Sequence, residues 1–264
     1  MKKPVVALAL GAGSARGLAH IGVVKVLEKN NIPIDLITGT SMGAIIGAFY
    51  AKNKDILDVE RIALSINNKK LFKLLDPSLS MGFFRGNKVI NFLKDNLGDV
   101  EFKDLKIPLV VVATNTRNGE SVYFDRGDLV NAIRGSISIP LLFSPYSYKG
   151  LSLIDGHLSE PVPVNAALSK KPDVVIAVNL DSKKYLRNDM SPSFGGIAKR
   201  TVRILFYHLS KSISEKADVV ISPDIDIDYF ASFSEASHII KQGELAAKKA
   251  LPSIRKVLRE FENL

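Results

Sequence analysis

The stretch Asp35-Leu-Ile-Thr-Gly-Thr-Ser-Met-Gly-Ala-Ile-Ile-Gly47 constrains the fold more than any other part of the chain. A short β-branched strand runs into Gly39-Thr-Ser41-Met-Gly43 and continues as a helix of small residues. In that context a G-x-S-x-G turn leaves the serine hydroxyl projecting from its apex as a nucleophile. The turn is so tight that the residues flanking the serine must be small, and Gly39 and Gly43 meet that need. A glycine-rich strand-to-helix turn also serves backbone geometry alone, with the hydroxyl merely opening the helix. The pentapeptide therefore leaves two readings open, and the rest of the chain decides between them.

Val5 to Leu10 is a continuous apolar run, the pattern of a strand buried on both faces, and it enters Gly11-Ala-Gly-Ser-Ala-Arg-Gly17. Leu18, Ile21, Val24 and Leu27 at helical spacing predict a helix that stops at Asn30-Asn31, and Ile34 to Ile37 reads as the second strand. This strand-helix-strand-helix opening implies parallel strands and a right-handed connection. Leu109 to Ala113, ending in Thr114-Asn115, is another buried strand, with Glu120 to Phe124 as its antiparallel partner and a helix over Leu129 to Arg134. Tyr146 to Leu153 reads as an edge hairpin turning at Lys149-Gly150, which delivers Asp155-Gly156-His157. Val174 to Asn179 and Val219 to Ser222 complete the strands.

Lys52 to Asp99 is expected to be helical in pieces. Within it, the apolar and basic segment 71–85 reads either as a lid or membrane-facing wall, or as a helical cap packed on its own protein. Lys199 to Lys216 predicts a helix with Val202, Leu205, Leu209 and Ile213 on one face, preceded by a mobile connection at Gly195-Gly196. Phe233 to Phe261 predicts two closing helices broken near Pro252. The expectation is a single α/β domain over residues 1–264, a mostly parallel central sheet layered between helices. Its core spans about 1–222, and a helical closure spans about 223–264.

At 264 residues and 46% hydrophobic content, the chain is long enough to bury one such core. It has no cysteine, which excludes disulfides, cysteine metal sites and a thiol nucleophile. Lys2-Lys3 ahead of an apolar run resembles a signal peptide, but the run is short and fits an opening strand, so a cytoplasmic protein is expected. No segment approaches the roughly 18 uninterrupted apolar residues of a membrane span. The formal charge of +9 favours anionic partners. With no nucleic-acid-binding motif and the lysines spread out, an acidic lipid surface fits that charge better than nucleic acid, beside plain solvation.

Acyl transfer needs a nucleophile, a base for its proton and donors for the oxyanion. Ser41 supplies the first. The histidines are His20, His157, His208 and His238. His208 and His238 lie in the helical tail, and His20 sits on the first helix, where burial against the sheet is the ordinary explanation. Asp155, just after a predicted strand, can serve as base without histidine if its surroundings raise its proton affinity, though Asp155-Gly156 is also a common turn dipeptide. The junction Gly11 to Gly17 aims backbone N–H groups at one spot, which suits a phosphate or a developing oxyanion. A rival reading makes it a dinucleotide loop with Asp35 as the ribose acid. Arg16 at the third glycine position counts against that.

Taken together these residues resemble the bacterial patatin-like phospholipases along nearly the whole chain. The family's glycine-rich motif falls on Ala12-Gly-Ser-Ala-Arg-Gly17 and its serine elbow on Gly39-Thr-Ser-Met-Gly43. Its Ala-Thr-Asn strand end falls on Ala113 to Asn115, its Ser-Ile-Pro segment on Ser138 to Pro140, and its Asp-Gly motif on Asp155-Gly-His157. The resemblance implies a Ser-Asp dyad on a three-layer α/β/α fold, hydrolysing phospholipid or lysophospholipid acyl esters through an acyl-enzyme. It implies no metal or organic cofactor, and it allows peripheral contact with an anionic membrane. It makes Ser41 the nucleophile and Asp155 the base, with the N–H groups of Gly13, Ser14 and Met42 as the oxyanion hole. Gly11, Arg16, Gly17, Gly39, Gly43 and Gly156 would support them. Ala12 and Ser14 replace family glycines, a change the hole survives if its backbone needs no positive φ there. His157 replaces a small residue, where it would crowd the dyad, tune it or face solvent. A non-catalytic lipid-binding or regulatory protein that keeps the fold is the alternative.

Overall fold

The computed structural model describes residues 3–66, 76, 84–181, 193–226 and 235–262. The apolar run after Pro4 forms β1 (Val6–Leu10), which leads through a 3-10 turn at Ser14–Leu18 into α1 (Ala19–Lys29). β2 (Leu36–Thr40) then enters α2 (Met42–Asn53), and α3 (Ile56–Ser65) and α4 (Asn87–Leu97) follow. β3 (Leu109–Asn115), β4 (Ser121–Phe124), α5 (Leu129–Ser136), β5 (Tyr146–Tyr148) and β6 (Leu151–Asp155) come next. The chain closes with α6 (Val164–Leu168), β7 (Val174–Val178), α7 (Phe194–Ser214), β8 (Val219–Ile221) and α8 (Ala236–Glu262).

The eight strands form one sheet in the order β5-β6-β3-β2-β1-β7-β8, with β4 also paired to β3. β1 pairs in parallel with β2 and β7, β2 with β3, and β7 with β8, while β4, β5 and β6 enter antiparallel. Strand alternation divides the interior in two. Val6, Leu8 and Leu10 point into a core shared with α1, α2, α3, α4, α5 and α8, whereas Ala7 and Ala9 point into a smaller one shared with α6 and Ile213 of α7. Helices on both faces of a mainly parallel sheet give the expected three-layer α/β arrangement.

Four sequence expectations differ from the structure. β2 runs three residues beyond Ile37, because the Thr38 and Thr40 hydroxyls donate to the carbonyls of Pro163 and Glu160 (2.7 and 2.9 Å) and hold the strand straight up to Ser41. Gly195-Gly196 is the first turn of α7, capped by the Ser193 hydroxyl accepting the Gly196 N–H, and not a loose connection. The closing segment is one helix that carries Pro252 inside it. The expected buried face of α7 is buried only in its second half: Leu209 and Ile213 pack in the smaller core, while Val202 and Leu205 are exposed. Segment 71–85, apart from Asp76, Phe84 and Arg85, lies outside the described residues.

Candidate active site

β3 brings the site together. Val111 and Val112 pair with β4 on one edge and with β2 on the other, and Ala113 and Thr114 pair with β4 on the first edge and with or beside Asp155 of β6 on the second. Parallel β2 and antiparallel β6 therefore share one edge of β3 and run toward each other. Their carboxyl ends meet where Thr40 lies opposite Val112 and Asp155 opposite Ala113. Residues 114 apart in sequence are delivered to one point by strand register.

At that point the Ser41 hydroxyl donates to Oδ2 of Asp155 at 2.7 Å. Ser41 holds φ 55 and ψ −119, a conformation that non-glycine residues avoid. Its flanking glycines let the turn pack this tightly. A Cβ on Gly39 would stand 2.5 Å from the Ala44 Cα, and one on Gly43 would stand 2.0 Å from the Leu10 carbonyl oxygen. The Ser41 N–H donates to the Ser136 hydroxyl (2.8 Å), which in turn donates to the Val112 carbonyl (2.6 Å). Asp155 is held just as firmly. Its N–H donates to the Ser138 carbonyl (2.9 Å), and its Oδ1 accepts the His157 N–H (2.8 Å). Gly156 permits this approach, since a Cβ there would meet the Val112 oxygen at 2.4 Å.

Both side chains are almost fully buried, Ser41 at 3% exposure and Asp155 at 1%. Burial is the largest influence on Asp155 and pushes its proton affinity above the ordinary carboxylate value, against the opposing pull of His157 and the two hydrogen bonds. A carboxylate touching a serine hydroxyl, with raised basicity, is the arrangement a proton-accepting base needs.

The loop Gly11 to Gly17 closes over the same end of the sheet. Gly11 N–H donates to Val178 O and Ala12 N–H to Pro161 O. The N–H groups of Gly13 and Ser14 donate to no backbone acceptor among the described residues. Met42 opens α2, so its N–H is one of the helix's unpaired leading donors. Ser14 has φ 50, so the loop does use left-handed backbone where this chain carries serine, at a cost of about 1–2 kcal/mol. Gly17 lies against Met42, whose Cγ would be 2.3 Å from a Cβ at that position.

Arg16 is fully buried, with its guanidinium donating to the Leu180 carbonyl (2.8 Å) and to Asp181 Oδ1 (3.1 Å). His157 faces the same carboxylate, Nε2 3.1 Å from Asp181 Oδ2, and its ring stacks on Phe206 of α7 with centroids 4.0 Å apart. It therefore neither crowds Ser41 nor faces solvent, and it ties the Asp155 segment to the glycine loop through Asp181. Burial opposes the Asp181 charge, but His157 and Arg16 outweigh it and hold this carboxyl down to about 2. Asp181, Ser136 and Phe206 were not singled out in the sequence. The one available signal was a carboxylate just past the carboxyl end of a buried strand, where α/β sites gather.

The remaining candidates stand apart from the dyad. His20 is buried and bonds the Gly11 carbonyl through Nε2 (2.7 Å), and burial lowers its pKa to about 4. His208 and His238 are exposed. Asp35 sits at the amino end of β2 and accepts the Val6 N–H (2.9 Å), at the wrong end of the sheet for a ribose, which removes the dinucleotide reading. A cleft of 670 Å³ lined by Asp35, Lys103 and Asp125 opens at that same amino end, away from Ser41.

Residues 8–168 match the family model described as patatin-like phospholipase. The chain is 40% identical over 182 residues to an uncharacterized NTE family protein of Mycobacterium bovis, covering 69% of this chain and 50% of that protein. It is 30% identical over 188 residues to the lysophospholipase NTE1 of Candida albicans, covering 69% of this chain and 13% of that one. It thus spans about half the length, or much less, of these curated relatives. The crystal structure of VipD from Legionella pneumophila superposes with a TM-score of 0.55 over 96% of this chain and 67% of that one, at 13% identity, which shows a shared fold. Among the described residues, no helix is long and apolar enough to cross a membrane. With the match running through the glycine loop, the serine turn and Asp155, the chain belongs to the patatin-like phospholipase family.

Proposed function

We propose that this chain is a serine lipid acyl hydrolase that cleaves carboxylic ester bonds of phospholipids or lysophospholipids, with Ser41 as nucleophile and Asp155 as base. The observation that carries the reading is the 2.7 Å hydrogen bond from the Ser41 hydroxyl to a buried carboxylate of raised proton affinity. Family membership and the lysophospholipase among the relatives supply the substrate class.

The reaction runs in two halves. Ser41 Oγ adds to the ester carbonyl carbon as its proton passes to Asp155 Oδ2, and the carbonyl electron pair moves onto oxygen. That oxyanion is met by the N–H groups of Gly13 and Ser14, with Met42 at the head of α2 adding a third donor. One such donor is worth about 3 kcal/mol of barrier. Collapse breaks the bond to the alkoxy oxygen, which takes the proton from Asp155 and leaves as the alcohol, with the acyl group on Ser41. Water then loses a proton to Asp155 as its oxygen adds to the acyl carbon. Collapse releases the fatty acid and returns the proton to Ser41. The buried dyad excludes bulk water, and the positive chain charge suits substrate presented on an anionic lipid surface.

A fluorophosphonate probe tests the nucleophile. The folded protein is expected to label stoichiometrically at Ser41 and to hydrolyse a short-chain ester, and Ser41→Ala is expected to do neither. Folded protein that neither labels nor turns over would leave the non-catalytic reading standing.

A further inference from the structure

The first half of α7 has no counterpart in the dyad chemistry, yet its sequence is strongly patterned. Phe194, Ile197, Ala198, Thr201, Val202 and Leu205 recur at i, i+3, i+4, i+7, i+8 and i+11, the spacing of a single helix face. That face is on the outside: Phe194 is 90% exposed, Ile197 53%, Val202 47% and Leu205 63%. At 100° per residue Lys199 lies along one border of the stripe and Arg200 along the other. An apolar stripe bordered on both sides by long cationic side chains is the pattern of a helix lying in a lipid interface, where the stems cover apolar surface and the charges reach outward. The hydroxyl-capped start at Ser193 and the helical Gly195-Gly196 turn show that the stripe is presented on an ordered helix from its first turn.

The position of α7 relates the stripe to the site. Phe206, one residue beyond Leu205, stacks on His157, whose own N–H holds Asp155. Ile197 is nine residues earlier, so the stripe extends about 14 Å along the helix from that contact. Two more exposed leucines lie close in sequence to residues that hold Asp155. Leu158 follows His157, and Leu141 is three residues beyond Ser138, whose carbonyl accepts the Asp155 N–H.

We infer that the exposed stripe on the first half of α7 docks this protein onto an anionic phospholipid bilayer, seating the mouth of the Ser41–Asp155 site on the surface that holds its substrate. The charge complementarity of Arg200 and the +9 chain with acidic headgroups selects a bilayer over a second copy of the same cationic chain. The biological purpose of docking rests on the lipid hydrolase reading, but the docking itself is measured without turnover.

Co-sedimentation with phosphatidylcholine vesicles, with and without phosphatidylglycerol, tests this in the Ser41→Ala background so that the vesicles stay intact. The Ser41→Ala protein is expected to bind the phosphatidylglycerol vesicles preferentially and to lose binding as salt is added. Adding Ile197→Ser with Leu205→Ser should weaken partition by about tenfold or more, and Arg200→Glu should reduce the preference for anionic vesicles. With Ser41 intact, the Ile197→Ser, Leu205→Ser protein should hydrolyse a soluble short-chain ester at the parental rate, which also shows that it is folded. Parental vesicle binding by the double variant, no vesicle binding by the parent, or a dimer that the double variant splits would each overturn the proposal. Vesicle binding with no ester hydrolysis and no probe labelling would sink the hydrolase reading and leave docking in place.

Discussion

Asp155 carries two opposed demands, and its substitution separates them. In the proposed role of base it must be ionised, and buried at 1% exposure it is ionised at a cost. Its folded proton affinity is raised, so between the ordinary aspartate value and the raised one the native state keeps a proton that the unfolded chain has lost. Stability therefore falls as pH climbs through that window, and the deficit persists above it. Asp155→Asn removes the deficit while keeping an oxygen for the His157 N–H and a polar group for Ser41. The variant should lose activity by about 10²–10⁴-fold and melt higher than the parent at neutral pH, as calorimetry would show. Near-normal turnover would overturn the role assigned to Asp155, and a lower melting temperature would show that its charge is not strained. Ser41 and Asp155 stood out in the sequence because each occupies a glycine-bounded turn after an apolar run. Asp181 and Ser136 did not, since their partners Arg16 and Ser41 lie far away in sequence and only the register of the sheet brings them near.

At the scale of elements, periodic apolar runs revealed the strands and most helices, whereas close contacts between elements left little trace. Gly22 in α1 and Gly243 in α8 are plain weak points in a helical pattern. In the structure they are where the two backbones touch: a Cβ on Gly22 would lie 2.0 Å from the Ile240 oxygen, and one on Gly243 2.0 Å from the Ala19 oxygen. Gly243→Val must separate the helices or unfold the end of one, and should cost about 2 kcal/mol or more in denaturant unfolding. Pro252 misled in the opposite direction, because on the solvent side of a helix the carbonyl it orphans can be hydrated. Pro252 and Lys248, whose carbonyl loses its helical partner, are both exposed, while Ala247 and Ile254 on the inner face hold α8 to the core. Pro252→Ala should restore that hydrogen bond and raise stability by about 1 kcal/mol or more with activity unchanged. Loss of stability would mean that the helix depends on a bend at the proline.

For the whole molecule, the three layers follow from a β1 that is apolar on both faces, large residues to one and alanines to the other, and its unbroken apolar run was readable in advance. The electrostatic response of the fold was readable only in part: burial of His20 against the sheet was expected from its place on the first helix, whereas its bond to Gly11 and the enclosure of Asp181 were not. His20 is enclosed neutral, bonded to the Gly11 carbonyl at the root of the glycine loop. Its pKa is lowered from 6.5 to about 4, so as pH falls from 6.5 toward 4 the unfolded chain takes a proton that the native state refuses. The stability lost across that window is about 3 kcal/mol. Asp181 acts lower: held at about 2 against an ordinary 3.8, it contributes stability above 3.8 that is lost as pH falls toward 2. Acid should thus weaken the fold first through His20 and only later through Asp181. His20→Gln keeps an N–H for Gly11 and cannot be protonated, so it isolates the first phase. Denaturant melts at pH 7 and pH 4.5 should show the parent losing most of the 3 kcal/mol and the Gln variant much less. Equal losses in the two proteins would mean that the native state takes up a proton on His20 as readily as the unfolded chain does, and would overturn the assignment of the first phase to His20.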